Sequence, residues 1–341
     1  MIAEAGHRDS WHRILSEAFR RPEELLHFLG LDAALSCKGP AAGNFPLRVP
    51  RPFAARMRKG DPADPLLRQV LPLNAEEAEV PGFVPDPLAE GAANLRPGLV
   101  HKYRGRALLI AAGACAVHCR YCFRRHFPYA DNLALRETWE PALEYIAADA
   151  DIREVILSGG DPLILRDGPL RELVQRLAAI PHLRRLRLHT RLPIVIPARV
   201  TDSLVQTLTG TRLQPAMVLH CNHANEIDDE VRDALGTLAT AGIPLLNQAV
   251  LLKGVNDCAR ALVQLGEALF EARALPYYLH LPDRVAGTAH FYVGERRARR
   301  LLWEAAAALP GYLLPRLMKE VPGAPAKVQL APLAPRHPAA R

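Results

Sequence analysis

Lysine is scarce in this chain: the 341 residues hold six (Lys38, Lys59, Lys102, Lys253, Lys319 and Lys327) against 37 arginines. The skew fits a genome that favours arginine codons, but it has a chemical consequence. Lysine can shed its proton and act as a nucleophile, whereas arginine effectively cannot, so a lysine retained in such a chain is a candidate for amine chemistry. Long apolar runs are missing too. The longest uncharged one, 107–117, is too short to cross a bilayer. The first residues (MIAEAGHRDSWHR) lack the basic-then-apolar pattern of a secretory signal, so a cytoplasmic protein with no membrane partner is expected. Internal repeats are absent, and low complexity is confined to a Pro/Ala-rich end. A 49% hydrophobic content excludes disorder as the main state, and the length suits one large α/β domain or two ordinary ones. The net charge of +7 raises the possibility of nucleic acid. The arginines, however, are scattered in short pairs such as Arg124–Arg125 and Arg299–Arg300, which reads as a solvated basic surface with no nucleic-acid partner.

What is present changes texture along the chain. Trp11–Leu29 has helical apolar spacing interrupted near Pro22, and short helices are expected around Pro52–Met57 and Pro65–Val70. From Arg106 onward, short apolar runs (Ala107–Ala112, Glu154–Leu157, Leu186–His189, Ala216–Leu219, Leu245–Leu251, Tyr277–Leu281) alternate with amphipathic stretches (Glu140–Ala148, Pro169–Ile180, Thr201–Leu208, Asp228–Ala241, Ala259–Arg273). Such alternation implies a parallel sheet. Every run delivers polar or ligating residues, most of them at its C-terminal end, where barrel-type α/β enzymes assemble their sites; an open doubly wound sheet would concentrate them at one switch point. The expected fold is therefore α/β, a partial (βα)6 barrel over 99–290, with a mainly helical and extended region over 1–98 and a C-terminal helix and tail over 291–341.

Three of the six cysteines (Cys115, Cys119, Cys122) fall within eight residues, and a close cluster in a chain without an export signal points to metal rather than disulfides. No second cysteine pair exists to complete a zinc site, although His101, His118 or His126 could supply a fourth ligand. An iron–sulfur cluster that leaves one iron open explains the spacing better. Cys37, Cys221 and Cys258 have no such neighbours; Cys221 and Cys258 read as ordinary buried thiols.

Cys115-Ala-Val-His-Cys119-Arg-Tyr-Cys122 resembles the cluster loop of radical S-adenosylmethionine (SAM) enzymes, and Ser158-Gly159-Gly160-Asp161-Pro162, one βα unit later, resembles their glycine-rich SAM motif. The resemblance narrows with Cys122-Phe-Arg-Arg-His-Phe127, His189-Thr-Arg-Leu-Pro193, Asn222-His-Ala-Asn-Glu226 and Asn247-Gln248 through Gly254-Val-Asn-Asp257, which resemble lysine 2,3-aminomutases from about Arg48 to Lys327. Phe45-Pro-Leu-Arg-Val-Pro50, Arg56-Met57 and Asp64-Pro-Leu-Leu-Arg-Gln-Val70 look most like the short EpmB branch, which makes (R)-β-lysine for modifying elongation factor P. The resemblance implies a [4Fe-4S] cluster on Cys115, Cys119 and Cys122, SAM, and pyridoxal 5′-phosphate (PLP) anchored on Lys327. Here the family's usual Lys-Thr-Pro is replaced by Lys327-Val328-Gln329.

The same resemblance places Arg124 on the substrate carboxylate, and Asp283 and Glu320 on the distal ammonium of L-lysine. It places Tyr103 and Arg106 near PLP, and Gly159, Gly160, Asp161, His220 and Gln248 near SAM. It further implies a flavodoxin- or ferredoxin-type electron donor, a functional link to elongation factor P and its lysyl-ligase, and a homo-oligomer. A catabolic free-lysine mutase, another amino-acid 2,3-aminomutase and, more distantly, an RNA-modifying radical SAM enzyme stay open as alternatives. A glutamate mutase would want a cation near Asp283 instead; the resemblance assigns none there, although Arg284 is adjacent.

Overall fold

The computed structural model describes residues 10–36, 45–129 and 139–334. The N-terminal part carries short helices, α1 (Ser10–Ser16), α2 (Pro22–Phe28), α3 (Arg51–Ala55), α4 (Pro65–Arg68) and α5 (Glu90–Ala93). Proline at the start of α2 and α4 gives up an amide hydrogen that a first turn would leave unpaired anyway. In α4 the Asp64 carboxylate caps the amides of Leu66 and Leu67.

The rest is one ten-stranded sheet whose spatial order follows the chain: β1 (Asn94–Arg96), β2 (Leu99–Tyr103), β3 (Arg106–Ala112), β4 (Glu154–Gly159), β5 (Arg185–Thr190), β6 (Gln214–Leu219), β7 (Leu245–Val250), β8 (Leu275–His280), β9 (Arg316–Lys319) and β10 (Val328–Leu330). Strands β3 to β9 run parallel to one another. Antiparallel pairs extend both edges. All six expected strand-plus-helix units are present, and the sheet stays open, so the barrel is partial as the pattern implied. The crossovers carry α6 (Glu140–Ala148), α7 (Asp167–Ala178), a short α8 (Leu192–Val195), α9 (Asp202–Thr209), α10 (Asp229–Thr240), α11 (Ala259–Glu271) and α12 (Glu295–Ala306).

Each long helix buries one stripe at helical spacing, such as Leu170, Leu173, Val174 and Leu177 in α7. The strands show why the interior is not simply filled. In β5, Leu186 and Leu188 are fully buried in the core shared with the helices, while Arg187 and His189, on the opposite face, line a cavity. A period of two puts alternate side chains on opposite faces, so an apolar outer face and a polar inner face mark a barrel that encloses ligand space.

One hydrophobic core runs from Trp11 to Leu317, so the N-terminal segments pack onto the same core as the sheet. They also fasten the cysteine loop. Arg48 donates to the Cys115 carbonyl (3.0 Å), and its own carbonyl accepts from the His118 amide (3.0 Å). The Gln69 carbonyl accepts from the Arg120 amide (2.8 Å), and Glu76 forms buried ion pairs with Arg120 and Arg125.

Within the C-terminal segment, β9 and β10 form a hairpin with Lys319 opposite Val328 and Leu317 opposite Leu330, which ties Lys327 to the sheet edge. Backbone pairing did this where side-chain composition gave no strand signal. Cys258 is exposed at the start of α11 rather than buried, whereas Cys221 is fully buried. Cys37 lies outside the described residues.

Candidate active site

The inner face of the sheet, the cysteine loop and the β9–β10 hairpin enclose one cavity of about 600 Å³. All fourteen residues singled out from the sequence line it: Cys115, Cys119, Cys122, Gly159, Gly160, Asp161, His220, Gln248, Tyr103, Arg106, Arg124, Asp283, Glu320 and Lys327. The cavity does not stop at the C-terminal strand ends. It runs down to Arg106, Glu154 and Arg187 near the opposite ends, where Arg187 and Glu154 form an ion pair (3.1 Å).

The three cysteines follow β3 on a tight loop in which the Cys122 amide donates to the Cys119 carbonyl (3.0 Å). Burial and the neighbouring thiols push Cys122 up to about 11 and raise Cys115 well above the ordinary thiol value, so as free thiols they hold their protons and a bound cation is needed to draw them off. The histidines that could have completed a zinc site are engaged otherwise. His118 Nδ1 meets the Pro46 carbonyl, His126 Nε2 the Ala286 carbonyl, and His101 Nδ1 the Tyr145 hydroxyl. Among the described residues, no three His, Cys, Asp or Glu side chains gather as they would around a single ion. An iron–sulfur cluster instead places each thiolate on a different iron.

The glycine pair is forced by close approach. Gly159 has φ +124°, and a Cβ there would fall 2.3 Å from the Ala112 carbonyl oxygen; one on Gly160 would fall 2.2 Å from that of Ala114. The gap is closed by backbone hydrogen bonds, Gly160 N–H to Ala112 O (2.7 Å) and Asp161 N–H to Ala114 O (2.8 Å). Asp161 spends its carboxylate on Thr190 Oγ1 and the amides of Leu163, Arg191 and Leu192. It thus orients the turn after β5, which the motif alone did not reveal. His220 Nε2 and Gln248 Nε2 lie 2.8 Å apart. Burial pulls His220 down to about 4 and His280 to about 3, so both imidazoles are neutral at physiological pH and can accept hydrogen bonds.

On the other wall, alternating charges link the residues expected to hold lysine and PLP. Arg124 donates to Glu90 through Nε (2.6 Å) and Nη2 (2.9 Å) and to Ser158 through Nη1 (3.2 Å). Lys102 Nζ lies 3.5 Å from Glu90 and 3.4 Å from Glu320, and Glu320 pairs closely with Lys327. Burial opposes ionisation of Glu90 and Glu320, yet Arg124 and Lys327 respectively hold both below the ordinary carboxylate range. Burial, reinforced by Glu320, pushes Tyr103 up to about 12, and the Arg106 guanidinium stacks 4.6 Å from the centre of its ring. Arg284 donates to the Tyr292 hydroxyl (3.2 Å) and stacks on its ring.

Glu90 and Lys102 were missed from the sequence. Lys102 belongs to the scarce lysines, which was the available signal, whereas Glu90 gave none. Glu90 occupies the Nε–Nη2 edge of Arg124, so a carboxylate that took the same two-pronged edge would have to displace it. Glu90→Gln is therefore expected to lower the KM for a carboxylate substrate several-fold with little change in kcat, as measured by steady-state kinetics; an unchanged or raised KM refutes the competition.

A partial βα barrel with a three-cysteine loop after its first parallel strand and a glycine pair after the second defines a radical SAM enzyme, whose chemistry runs on SAM and a [4Fe-4S] cluster. A model of the radical SAM superfamily matches residues 109–212. The L-lysine 2,3-aminomutase of Escherichia coli is 50% identical over 95% of this chain and 95% of its own length. That of Haemophilus influenzae is 48% identical over 94% of this chain and 96% of its own. A third, from Clostridium subterminale, is 35% identical over 80% of this chain and 65% of its own. The chain belongs to the L-lysine 2,3-aminomutase family and is an isomerase. No helix among the described residues is long and apolar enough to cross a membrane.

Proposed function

We propose that this protein converts L-lysine to (R)-β-lysine, using SAM, a [4Fe-4S] cluster on Cys115, Cys119 and Cys122, and PLP on Lys327, and that the product serves the modification of elongation factor P. The observation that carries the reading is that one cavity is lined both by the three thiols and by Lys327, Glu320 and Asp283. The likeness to the EpmB branch and the near-complete coverage of the short E. coli and H. influenzae relatives support the elongation-factor role.

The residues divide the work by charge. When bound, the cluster and SAM supply a 5′-deoxyadenosyl radical, and PLP carries the migrating nitrogen. Arg124 offers a planar, two-pronged donor suited to the substrate carboxylate once Glu90 releases it. Asp283 and Glu320 receive the distal ammonium, so a substrate without that cation would leave two carboxylates unpaired and bind poorly. Lys102 remains beside Glu90 and Glu320 when Arg124 and Lys327 change partners, which keeps both carboxylates compensated. Arg106 and Tyr103 are assigned to PLP, and His220, Gln248 and the 158–161 turn to SAM; that all of them line the same cavity supports the division. Fixing both ends of lysine fixes its C3 hydrogen in the cavity, a positioning effect.

Burial, with the charge of Glu320, pushes Asp283 up to about 7. The substrate ammonium binds its ionised form, so KM for lysine is expected to rise as pH falls through about 7, and Asp283→Asn to flatten that profile. The function itself is tested by anaerobic reconstitution with iron, sulfide and PLP, followed by incubation with L-lysine, SAM and dithionite and chiral analysis of the product. (R)-β-lysine is expected. The S product would indicate a catabolic mutase instead, and the absence of β-lysine would overturn the reading.

A further inference from the structure

Arg191 stands at the end of β5 and is 5% exposed. Its guanidinium joins the cysteine loop to two distant parts of the chain. Nη1 donates to Cys119 Sγ (2.7 Å) and to the Tyr121 hydroxyl (2.9 Å). Nη2 donates to Gln69 Oε1 (2.7 Å) and to Glu226 Oε2 (2.9 Å). Glu226 is fully buried and is held by the amides of Asn222 and His223 and the Gln69 side chain. The ion pair is therefore fixed in one orientation, its positive end on the sulfur and its negative end on the far side.

A turn needs no guanidinium on a thiol, and substrate recognition uses Arg124. What the arrangement does favour is negative charge on Cys119. In the reading proposed above, Cys119 is a thiolate ligand of a cluster whose three thiolates give it a net negative charge, and reduction adds one electron from an external one-electron donor without making or breaking a bond. A cation and an N–H donor at the sulfur stabilise the more negative, reduced state more than the oxidised one, and burial limits the screening of that difference. Hydrogen bonds to cluster sulfurs and solvent exposure are known determinants of cluster potential.

We propose that Arg191 is a positioning residue that raises the reduction potential of the cluster through Cys119, with Glu226 as the counterweight that limits the rise. The inference rests on the cluster assignment, and the experiment separates the two. The full chain and its variants are reconstituted anaerobically with iron and sulfide, checked for iron and sulfide content, and titrated stepwise with dithionite while the reduced cluster is followed by electron paramagnetic resonance and visible absorption.

Arg191→Gln is expected to lower the reduction equilibrium constant at least tenfold, about 59 mV for a one-electron couple. Glu226→Gln is expected to shift the potential in the opposite direction, and Arg191→Lys, which keeps the charge but loses the fork, to fall between wild type and Arg191→Gln. Opposite signs at the two partners are the signature that mere loss of packing would not give. Unchanged potentials, or shifts of the same sign in both variants, overturn the proposal. Should Arg191→Gln assemble no cluster, Glu226→Gln decides alone: a raised potential supports the proposal, and an unchanged or lowered one overturns it. A wild-type chain that binds no iron or sulfide overturns the cluster reading itself.

Discussion

Alanine at position 160 is expected to destabilise the protein by about 3 kcal/mol or more and to strip it of its iron. The added Cβ would lie 2.2 Å from the Ala114 carbonyl oxygen, 2.5 Å from the carbonyl carbon and 2.8 Å from the Ala114 nitrogen. All three are backbone atoms and cannot swing aside as a side-chain tip would. Ala114 immediately precedes Cys115, so relief of the clash pushes the cysteine loop away from β4 and breaks the 2.8 Å bond from Asp161 N–H. Gly168→Ala is the control, because a Cβ there meets nothing within 4 Å. Thermal melts and iron content measured side by side check the prediction. A Gly160→Ala protein with normal stability and normal iron would show that the close approach does not matter.

Removal of the amine at position 327 is expected to cost activity on the order of 10³-fold or more, the scale seen when a group that works covalently is lost. Lys327→Ala should also lose the visible absorption of bound PLP. Lys327→Arg is the sharper variant. It keeps a cation beside Glu320, whose pairing with Lys327 is the main reason its carboxylate stays ionised despite burial. Arginine cannot give up its proton to form the covalent link, so the arginine variant should fold and melt like wild type yet lack the PLP band. Retention of PLP and activity in either variant would move the anchor elsewhere.

These two residues show different degrees of legibility. Gly160 was readable as part of a motif, but its reason was not, because the motif suggested ligand contact and the structure shows backbone contact across 46 residues, from Ala114 to Gly160. Lys327 sat in a segment whose Pro/Ala composition gave no hint of structure. The hairpin register with β9 brings it to Glu320, and that register depends on backbone pairing rather than on any side-chain period. Glu90 was invisible because its meaning lies in its partners, Arg124, 34 residues away, and Lys102. Arg191 was noticed only as part of a His-Thr-Arg-Leu-Pro string; its bond to Cys119 spans 72 residues.

The alternation of strands and helices, the open parallel barrel and the cysteine loop were legible in local terms: periods of two and of 3.6, and spacings within eight residues. The rarity of lysine pointed only weakly to Lys327, and the residues that meet in the cavity beyond the three cysteines were named by the family resemblance. Which charge faces which is settled by the fold. Ion pairs such as Arg124–Glu90, Lys102–Glu320 and Arg191–Glu226 join segments that sequence spacing does not relate. Burial then turns those meetings into energetics, because a charge removed from water must find its partner within a few ångströms, and the fold alone determines which partner that is.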